Sequence, residues 1–487
     1  MLDSLKRLTK HSAVYGISHI VTRSVGFLLL PLYTNTFERA EYGVAALVFT
    51  FLAIATIIYT MGVDSAFLRY YILDEGQGKR RVTFSTAFWT VLGLATGFSI
   101  FLLTGSRPIA AWLLDSVSYR PLIMLSAGIL FFDALNVLPF LVLRAEERSI
   151  HFAILKFANV VINLALNIVL IVWLKHGIQG IFQANLVASA ATFVLLLPVS
   201  LQRLNPGLSG RVLKDLLRFG IPYLPSTLAV VLMDVIDRFI LKQLAGFDVA
   251  GLYSAGYKLG TFMALFIAAF RFAWHPFFLS EVKKEGAKEL FARVLTYLLL
   301  ACFGVFLLLS FTIDDIVRLR VFGITIFGPK YWDSTVIVPT IMLAYIFFAA
   351  YLNFVIGIYT EKKSEYLPLV TGIGAAVNIA SNYLLIPKFG MMGSAYATVL
   401  GYASMATALY VVGQKLYPVR YEWRRVVHLS AAAGLVFWLE RPFHHVWPFC
   451  ARVALVLLWP LILWVTGFFV QEEKAALKAG LRKLLRR

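Results

Sequence analysis

Charge is scarce in this chain: 15% of its 487 residues are charged and 60% are hydrophobic. Soluble domains carry about 25% charged and 45–50% apolar residues, so there is too little polar side chain here to coat a globular surface. Cysteine is nearly missing too. Cys302 and Cys450 each lie inside an apolar run, which excludes a disulfide framework and a thiolate metal site. Long polar segments are absent, since the gaps between apolar runs never exceed about twenty residues and leave no room for a soluble catalytic domain. No P-loop, strand-bound GxGxxG, nucleophile elbow or metal-ligand cluster occurs. His275 beside Pro276 has no second imidazole or carboxylate at ligand spacing. The sequence therefore predicts neither an enzyme nor a resident cofactor, and any work must be done inside a membrane.

What is present are apolar runs of helical spanning length, ~20 residues, and not the alternating ~10-residue strands of an outer-membrane barrel. They fall near 13–34, 42–64, 83–104, 121–143, 151–174, 178–201, 219–241, 249–279, 290–312, 334–360, 365–386, 391–413, 426–439 and 447–470. The expectation is an all-α polytopic membrane protein of fourteen transmembrane helices. The run at 249–279 is long enough to need tilt or an unwound end. The start, MLDSLKRLTKHSAVYG, leads to Pro31 without a small-residue cleavage site and reads as a retained first span.

Basic residues set the orientation. The amino terminus, the even-numbered connections and the tail hold 28 Lys and Arg, the opposite loops 10, and the spans 7. Such asymmetry places both termini in the cytoplasm, across a bacterial-type inner membrane. The net charge of +19 then reflects positive-inside topology and attraction to anionic membrane lipids, not nucleic-acid binding.

The chain also repeats itself. Spans five and six read NLALNIVLIVWLKHGIQGIFQANLVASAATFVLL from Asn163, and spans eleven and twelve NIASNYLLIPKFGMMGSAYATVLGYASMATALYVV from Asn378. Both carry Asn-x3-Asn (163/167, 378/382), one loop lysine (Lys175, Lys388) and, after a two-residue gap, Gly-x2-Gly (177/180, 390/393). A second echo pairs FERAEYGVAALVFT around Gly43 with GFDVAGLYSAGYKL around Gly251. Each motif recurs six spans later in the same sense. The repeat predicts two parallel-related six-helix bundles, 1–204 and 205–418, with two extra helices and a basic tail over 419–487, and a path between the bundles.

Six stretches, VGFLLLPLYTNTF…AEYGVAAL, MGVDSAFLRYY, DRFILKQLAGFDVAGLYSAGYKLG, WHPFFLSE, FGPKYWDSTVIVP and GMMGSAYATVLGY, in this order resemble the polysaccharide transporter family. That family holds the Wzx-type O-antigen flippases of the multidrug/oligosaccharidyl-lipid/polysaccharide (MOP) exporter superfamily. The resemblance spans essentially the whole chain. It implies alternating-access translocation of an undecaprenyl-diphosphate-linked oligosaccharide for O-antigen or lipopolysaccharide synthesis, with polysaccharide polymerase and glycosyltransferases as neighbours in the pathway. A lipid II flippase or a multidrug exporter of the same superfamily is the alternative.

Ionisable residues inside spans supply the candidate site. Arg23 lies near the middle of the first span among small polar neighbours, facing a cavity or locked in an ion pair. Lys258 and Arg271, thirteen residues apart on the eighth span, are ~20 Å apart along a helix and would serve successive positions on a path. Asp234 and Arg238, at i,i+4 in the favourable order, are expected to pair, leaving Asp237 to meet Lys258 or to cap an interface. Asp64 and Arg69 read as a structural pair at the cytoplasmic end of span two. Asp133, in mid-span without a local partner, is either a coupling carboxylate for a proton or sodium ion or a buried hydrogen-bonded acid; Asp64 and Asp237 are the next coupling candidates. Asn163 and Asn378 could read sugar hydroxyls or join helices. Pro31, Gly220-Ile-Pro222 and Pro276 are expected to break their spans. Seven span cations against Asp133, Asp234 and Asp237 favour an anionic substrate such as a diphosphate over an organic cation.

Overall fold

The computed structural model describes residues 26–474 apart from 74–75, 322, 362, 364, 442–446 and 472, with backbone alone at 223, 226, 272, 273, 275 and 276. Nine of the described helices are long and apolar enough to cross a membrane, and Phe449–Val465 is a shorter apolar one. Apart from one small hairpin the described elements are helical, as a lipid environment requires of backbone that must satisfy its own hydrogen bonds.

The elements run α1 (Leu30–Thr36), α2 (Arg39–Thr60), α3 (Val63–Leu73), α4 (Gln77–Thr104), α5 (Ser106–Leu114), α6 (Arg120–Ala145), α7 (Ser149–Asn167), α8 (Gly177–Leu201) and α9 (Gly210–Gly220). Then come α10 (Leu224–Gly260), α11 (Phe262–Glu281), α12 (Ala287–Arg318), the hairpin β1 (Arg320–Val321) and β2 (Ile324–Thr325), α13 (Val338–Phe354), α14 (Ile356–Thr360), α15 (Tyr366–Phe389), α16 (Met391–Leu416), α17 (Trp423–Glu440) and α18 (Phe449–Val465). One set of contacts joins α4, α6, α7 and α8, another joins α10, α13, α15 and α16, and α2 lying along α10 connects the two groups. Two extra helices, α17 and α18, pack on α12.

Local chemistry explains the boundaries. A reciprocal capping box between Glu38 and Glu41 starts α2, and left-handed Met61 and Gly62 end it (φ 47° and 72°). Pro31 stands in the first turn of α1, and a 3-10 turn at Ile221–Tyr223 separates α9 from α10, so those two expected breaks exist. Pro276 does not break its helix, because α11 runs unbroken through it. The eighth span is interrupted at Thr261 instead, and the seventh turns into the eighth at Gly246 (φ 83°, ψ 174°), a conformation open to glycine. Span five ends in a π-helical turn, Ile168–Trp173.

The duplicated glycines meet. A Cβ on Gly43 would lie 2.1 Å from the Phe247 carbonyl oxygen, and one on Gly251 would collide with the Arg39 carbonyl, so α2 and α10 touch backbone to backbone. At the same end, residues 34–39 clasp residues 325–333. Asn35 and Thr325 exchange two hydrogen bonds of 2.8 Å, the Gly328 N–H donates to Thr34 Oγ1 at 3.0 Å, and Arg39 pairs with Asp333 at 2.8 Å. Lys330 to Glu38 and Lys242 to Asp115 add two more ion pairs across the seam. The seam is closed at this far end; at the opposite, basic end, Gly62 abuts Gly220.

Candidate functional site

A charge near the centre of a span costs about 2.5–3.5 kcal/mol unless it finds a partner or water. The turn at Gly246 folds α10 into two limbs, with Asp234, Asp237 and Arg238 on one and Tyr253, Tyr257 and Lys258 on the other. Arg238 Nη1 donates to Asp237 Oδ1 at 2.7 Å and to the Asp234 main-chain carbonyl. The Tyr253 hydroxyl donates to Asp237 Oδ2 at 2.6 Å, and Tyr402 on α16 donates to Asp234 Oδ1 at 2.5 Å. The Arg238 guanidinium lies 4.0 Å over the Tyr257 ring, whose hydroxyl is 3.4 Å from that of Tyr345 on α13. Two carboxylates, a guanidinium and four tyrosines thus form one network at the heart of the second helix group.

The network corrects the expected pairing. Asp237, fully buried, takes the arginine side chain, and Asp234 binds a tyrosine. Nor does Asp237 wait for Lys258 or cap an outer interface, since its two oxygens are taken by Arg238 and Tyr253. The hydroxyls that redirect both acids come from the far limb of α10 and from α16, which sequence spacing along one helix does not register. The tyrosines themselves were missed, although Tyr253 and Tyr257 at i,i+4 in GLYSAGYKLG mark a polar stripe.

Lys258 stays apart from these carboxylates. Its ammonium lies against the backbone of Gly26, where a Cβ would sit 2.5 Å from Nζ, and Phe27 packs on Phe262 beside it at 4.2 Å. The like charge of Arg238 is within electrostatic reach. Arg271, exposed on α11, interacts electrostatically with Tyr351. Among the described residues, no carboxylate oxygen comes within 4.0 Å of either cation. By contrast, Arg452 is neutralised by Asp315 at 2.6 Å. Arg23 lies outside the described residues.

Asp133 is a buried, hydrogen-bonded acid whose partners come from neighbouring spans and not from its own helix. Ser189 Oγ donates to it at 2.6 Å and Lys156 on the neighbouring span acts on it electrostatically, while the Lys156 ammonium sits 4.0 Å over the Phe140 ring. Thr60 and the Ser65 N–H act electrostatically on Asp64, and Arg69 stacks on Phe219 at 4.5 Å instead of pairing with it. The two Asn-x3-Asn motifs share one internal geometry: Asn167 Nδ2 donates to the Asn163 carbonyl at 2.8 Å and side chain at 3.0 Å, and Asn382 does the same to Asn378 at 2.9 and 3.2 Å. Each second asparagine accepts from another helix, Asn167 from Tyr33 at 2.8 Å and Asn382 from Ser394 at 2.8 Å. They join helices. Lys258, Arg271, Asp133, Asp64, Asn163 and Asn378 are therefore spread over the molecule, and among the described candidates only Asp237 and Lys258 share a neighbourhood, through Arg238.

Comparisons with known proteins agree with this architecture. The sequence pattern of a family described as polysaccharide biosynthesis protein matches residues 37–336. The Lsg locus putative protein 1 of Haemophilus influenzae is 23% identical over 423 residues, covering 84% of this chain and 99% of that protein. An uncharacterized membrane protein of Methanocaldococcus jannaschii is 20% identical over 434 residues, 81% of this chain and 83% of that one. Among solved structures, the lipid II flippase MurJ in an inward closed conformation superposes with a TM-score of 0.75 at 14% identity, over 94% of this chain and 99% of that one. An inward-facing MATE multidrug transporter of the MOP superfamily gives 0.64 at 15% identity, over 81% and 94%. These likenesses establish the polytopic membrane fold that the chain shares with the MurJ and MATE structures.

Proposed function

The chain belongs to the polysaccharide biosynthesis protein family, and from that premise we propose that it flips an undecaprenyl-diphosphate-linked oligosaccharide across the bacterial inner membrane, for O-antigen or related lipopolysaccharide assembly. It moves its substrate without transforming it. The two bundles, 1–204 and 205–418, rock about the contact between α2 and α10, with both termini in the cytoplasm and the basic end facing it. One observation carries the reading: among the described residues Lys258 and Arg271 have no carboxylate oxygen within 4.0 Å, whereas Arg238 and Arg452 do, so part of the basic excess of the spans survives folding. An anionic diphosphate satisfies them; an organic cation does not, which disfavours multidrug export. Lipid II carries the same diphosphate, and the superposition on MurJ over nearly the whole chain favours it as the second reading.

The test is glycan display in cells that depend on this gene. Lys258→Ala should abolish it at normal protein level, whereas Lys258→Arg should keep part of it, because a cation that still attracts a diphosphate remains. Full display by the alanine variant overturns the reading, and rescue of a strain lacking its lipid II flippase selects the second one. For energy coupling we infer Asp133, with a proton or sodium ion as the coupling species, since Asp237 is committed to Arg238. Transport into vesicles under an imposed pH or sodium gradient should lose its gradient response in Asp133→Asn.

A further inference from the structure

The segment between the two helix groups ends in α9, the most strongly amphipathic of the described helices. Arg211, Lys214, Asp215 and Arg218 share one arc of it, and Val212, Leu213, Leu216, Leu217 and Phe219 the other. Its position is firmly set. Ser209 caps its start, the Ser209 N–H donates to Thr86 Oγ1 at 3.1 Å, the Asn205 N–H donates to Ser85 Oγ at 2.7 Å and Trp89 Nε1 donates to the Asn205 carbonyl at 2.9 Å. At the other end Phe219 lies beneath Arg69 and Gly220 against Gly62.

A helix that merely rests on a bilayer turns its whole apolar arc to lipid. Here the arc is divided. Leu216 is fully buried in the protein, whereas the half-buried Leu213 and Leu217, with Ile221 and Pro222, form a shallow, open apolar groove along the helix, edged by Lys214 and Arg218. Those cations are four residues apart, so they stand on one face with their Cβ atoms ~5–6 Å apart, close enough to act together on two linked phosphates. Asp215 lies on the far side of the polar arc, next to Arg211, and leaves the lip basic. An apolar floor edged by paired cations suits a hydrocarbon chain with a diphosphate head.

We propose that this groove docks the isoprenoid diphosphate end of the lipid-linked substrate before translocation, with Lys214 and Arg218 on the diphosphate and Leu213 and Leu217 along the chain. The proposal rests on the flippase reading, but its test does not require transport. The full-length protein in neutral detergent is titrated with tritiated geranylgeranyl diphosphate. Saturable binding is expected, weakened on the order of a hundredfold in Lys214→Gln/Arg218→Gln, retained within a few-fold in Lys214→Arg/Arg218→Lys, and not displaced by equimolar phosphatidylglycerol. Unchanged affinity in the glutamine variant, or equal displacement by phosphatidylglycerol, overturns it; the latter outcome marks a general anionic-lipid site. Probe binding that depends on Lys214 and Arg218, in a protein that exports no glycan, retires the flippase reading and upholds the groove. Normal export with probe binding that ignores both cations does the reverse.

Discussion

The fifth and sixth spans and the eleventh and twelfth are two copies of one motif in two different surroundings. Both copies place the first glycine of Gly-x2-Gly at positive φ, 59° at Gly177 and 55° at Gly390, and both bond their asparagines in the same way. They diverge in what surrounds them. Of the apolar window in Ser149–Trp173, 22% is buried, against 39% in Tyr366–Phe389, so the first copy is the more lipid-exposed. Asn167 reaches the first span through Tyr33, while Asn382 stays within its own hairpin through Ser394. The first copy ends in a π turn and the second does not. A repeated sequence therefore preserves backbone turns and local bonds, and the neighbours decide what each copy is for.

The strongest way to break this comparison lies at the second glycine of each motif. A Cβ on Gly393 would stand 2.3 Å from the Leu385 carbonyl oxygen, whereas one on Gly180 meets side-chain or Cβ carbons at 3.2–3.5 Å. Gly393→Ala should cost about 3 kcal/mol, at the upper end for overpacking, and Gly180→Ala about 1 kcal/mol, read as thermal midpoints of fluorescent fusions in detergent. Equal losses would mean that the two hairpins pack alike.

The first glycines should behave as equals. Gly177→Ala and Gly390→Ala each force a side chain into a positive-φ conformation, at about 1–3 kcal/mol. If only one of them destabilises the protein, the shared turn is not a conserved feature of the duplication.

A smaller effect separates the asparagines. A double-mutant cycle on Tyr33→Phe and Asn167→Ala should give a coupling of about 0.6–1.7 kcal/mol, and Asn382→Ala should show none with Tyr33→Phe. Any coupling in the second case would contradict the separate wiring of the two copies.

The smallest effect sharpens a contrast with the carboxyl-terminal helices, whose contacts at the basic end rest on ion pairs. Burial alone would raise the Glu473 carboxyl, but hydrogen bonds from Tyr297, the Val470 N–H and Arg425, 2.8 Å away, hold it below the ordinary value of 4.5. Its folded value is depressed, so its contribution is present above that ordinary value and lost as the pH falls through the folded one. Melting midpoints of wild type should drop more than those of Glu473→Gln as the pH is lowered from about 5 to about 3; parallel curves would remove the glutamate from the account.

Much of this was legible in the chain because some signals are local. Gly177, Gly390 and Pro31 report backbone conformations set by their own chemistry, and the Gly43 and Gly251 echo was visible as a repeat before the two glycines were seen in contact. The seventh-to-eighth turn at Gly246 and the unbroken helix through Pro276 were not legible, since a glycine in a loop and a proline in an apolar run each permit more than one geometry.

By itself the sequence determined the solvent this protein lives in and the periodicity of its copies, because transfer of apolar surface out of water and the steric limits of glycine and proline act residue by residue. Tertiary structure alone decided which charges cancel. The carboxylate of Asp237 and not that of Asp234 pairs with Arg238, and among the described residues Lys258 has no carboxylate within 4.0 Å, because in a low-dielectric interior a carboxylate goes to whichever donors the neighbouring helices bring within about 3 Å, and those donors, Tyr253 and Tyr402, lie 16 and 168 residues from the acids they bind.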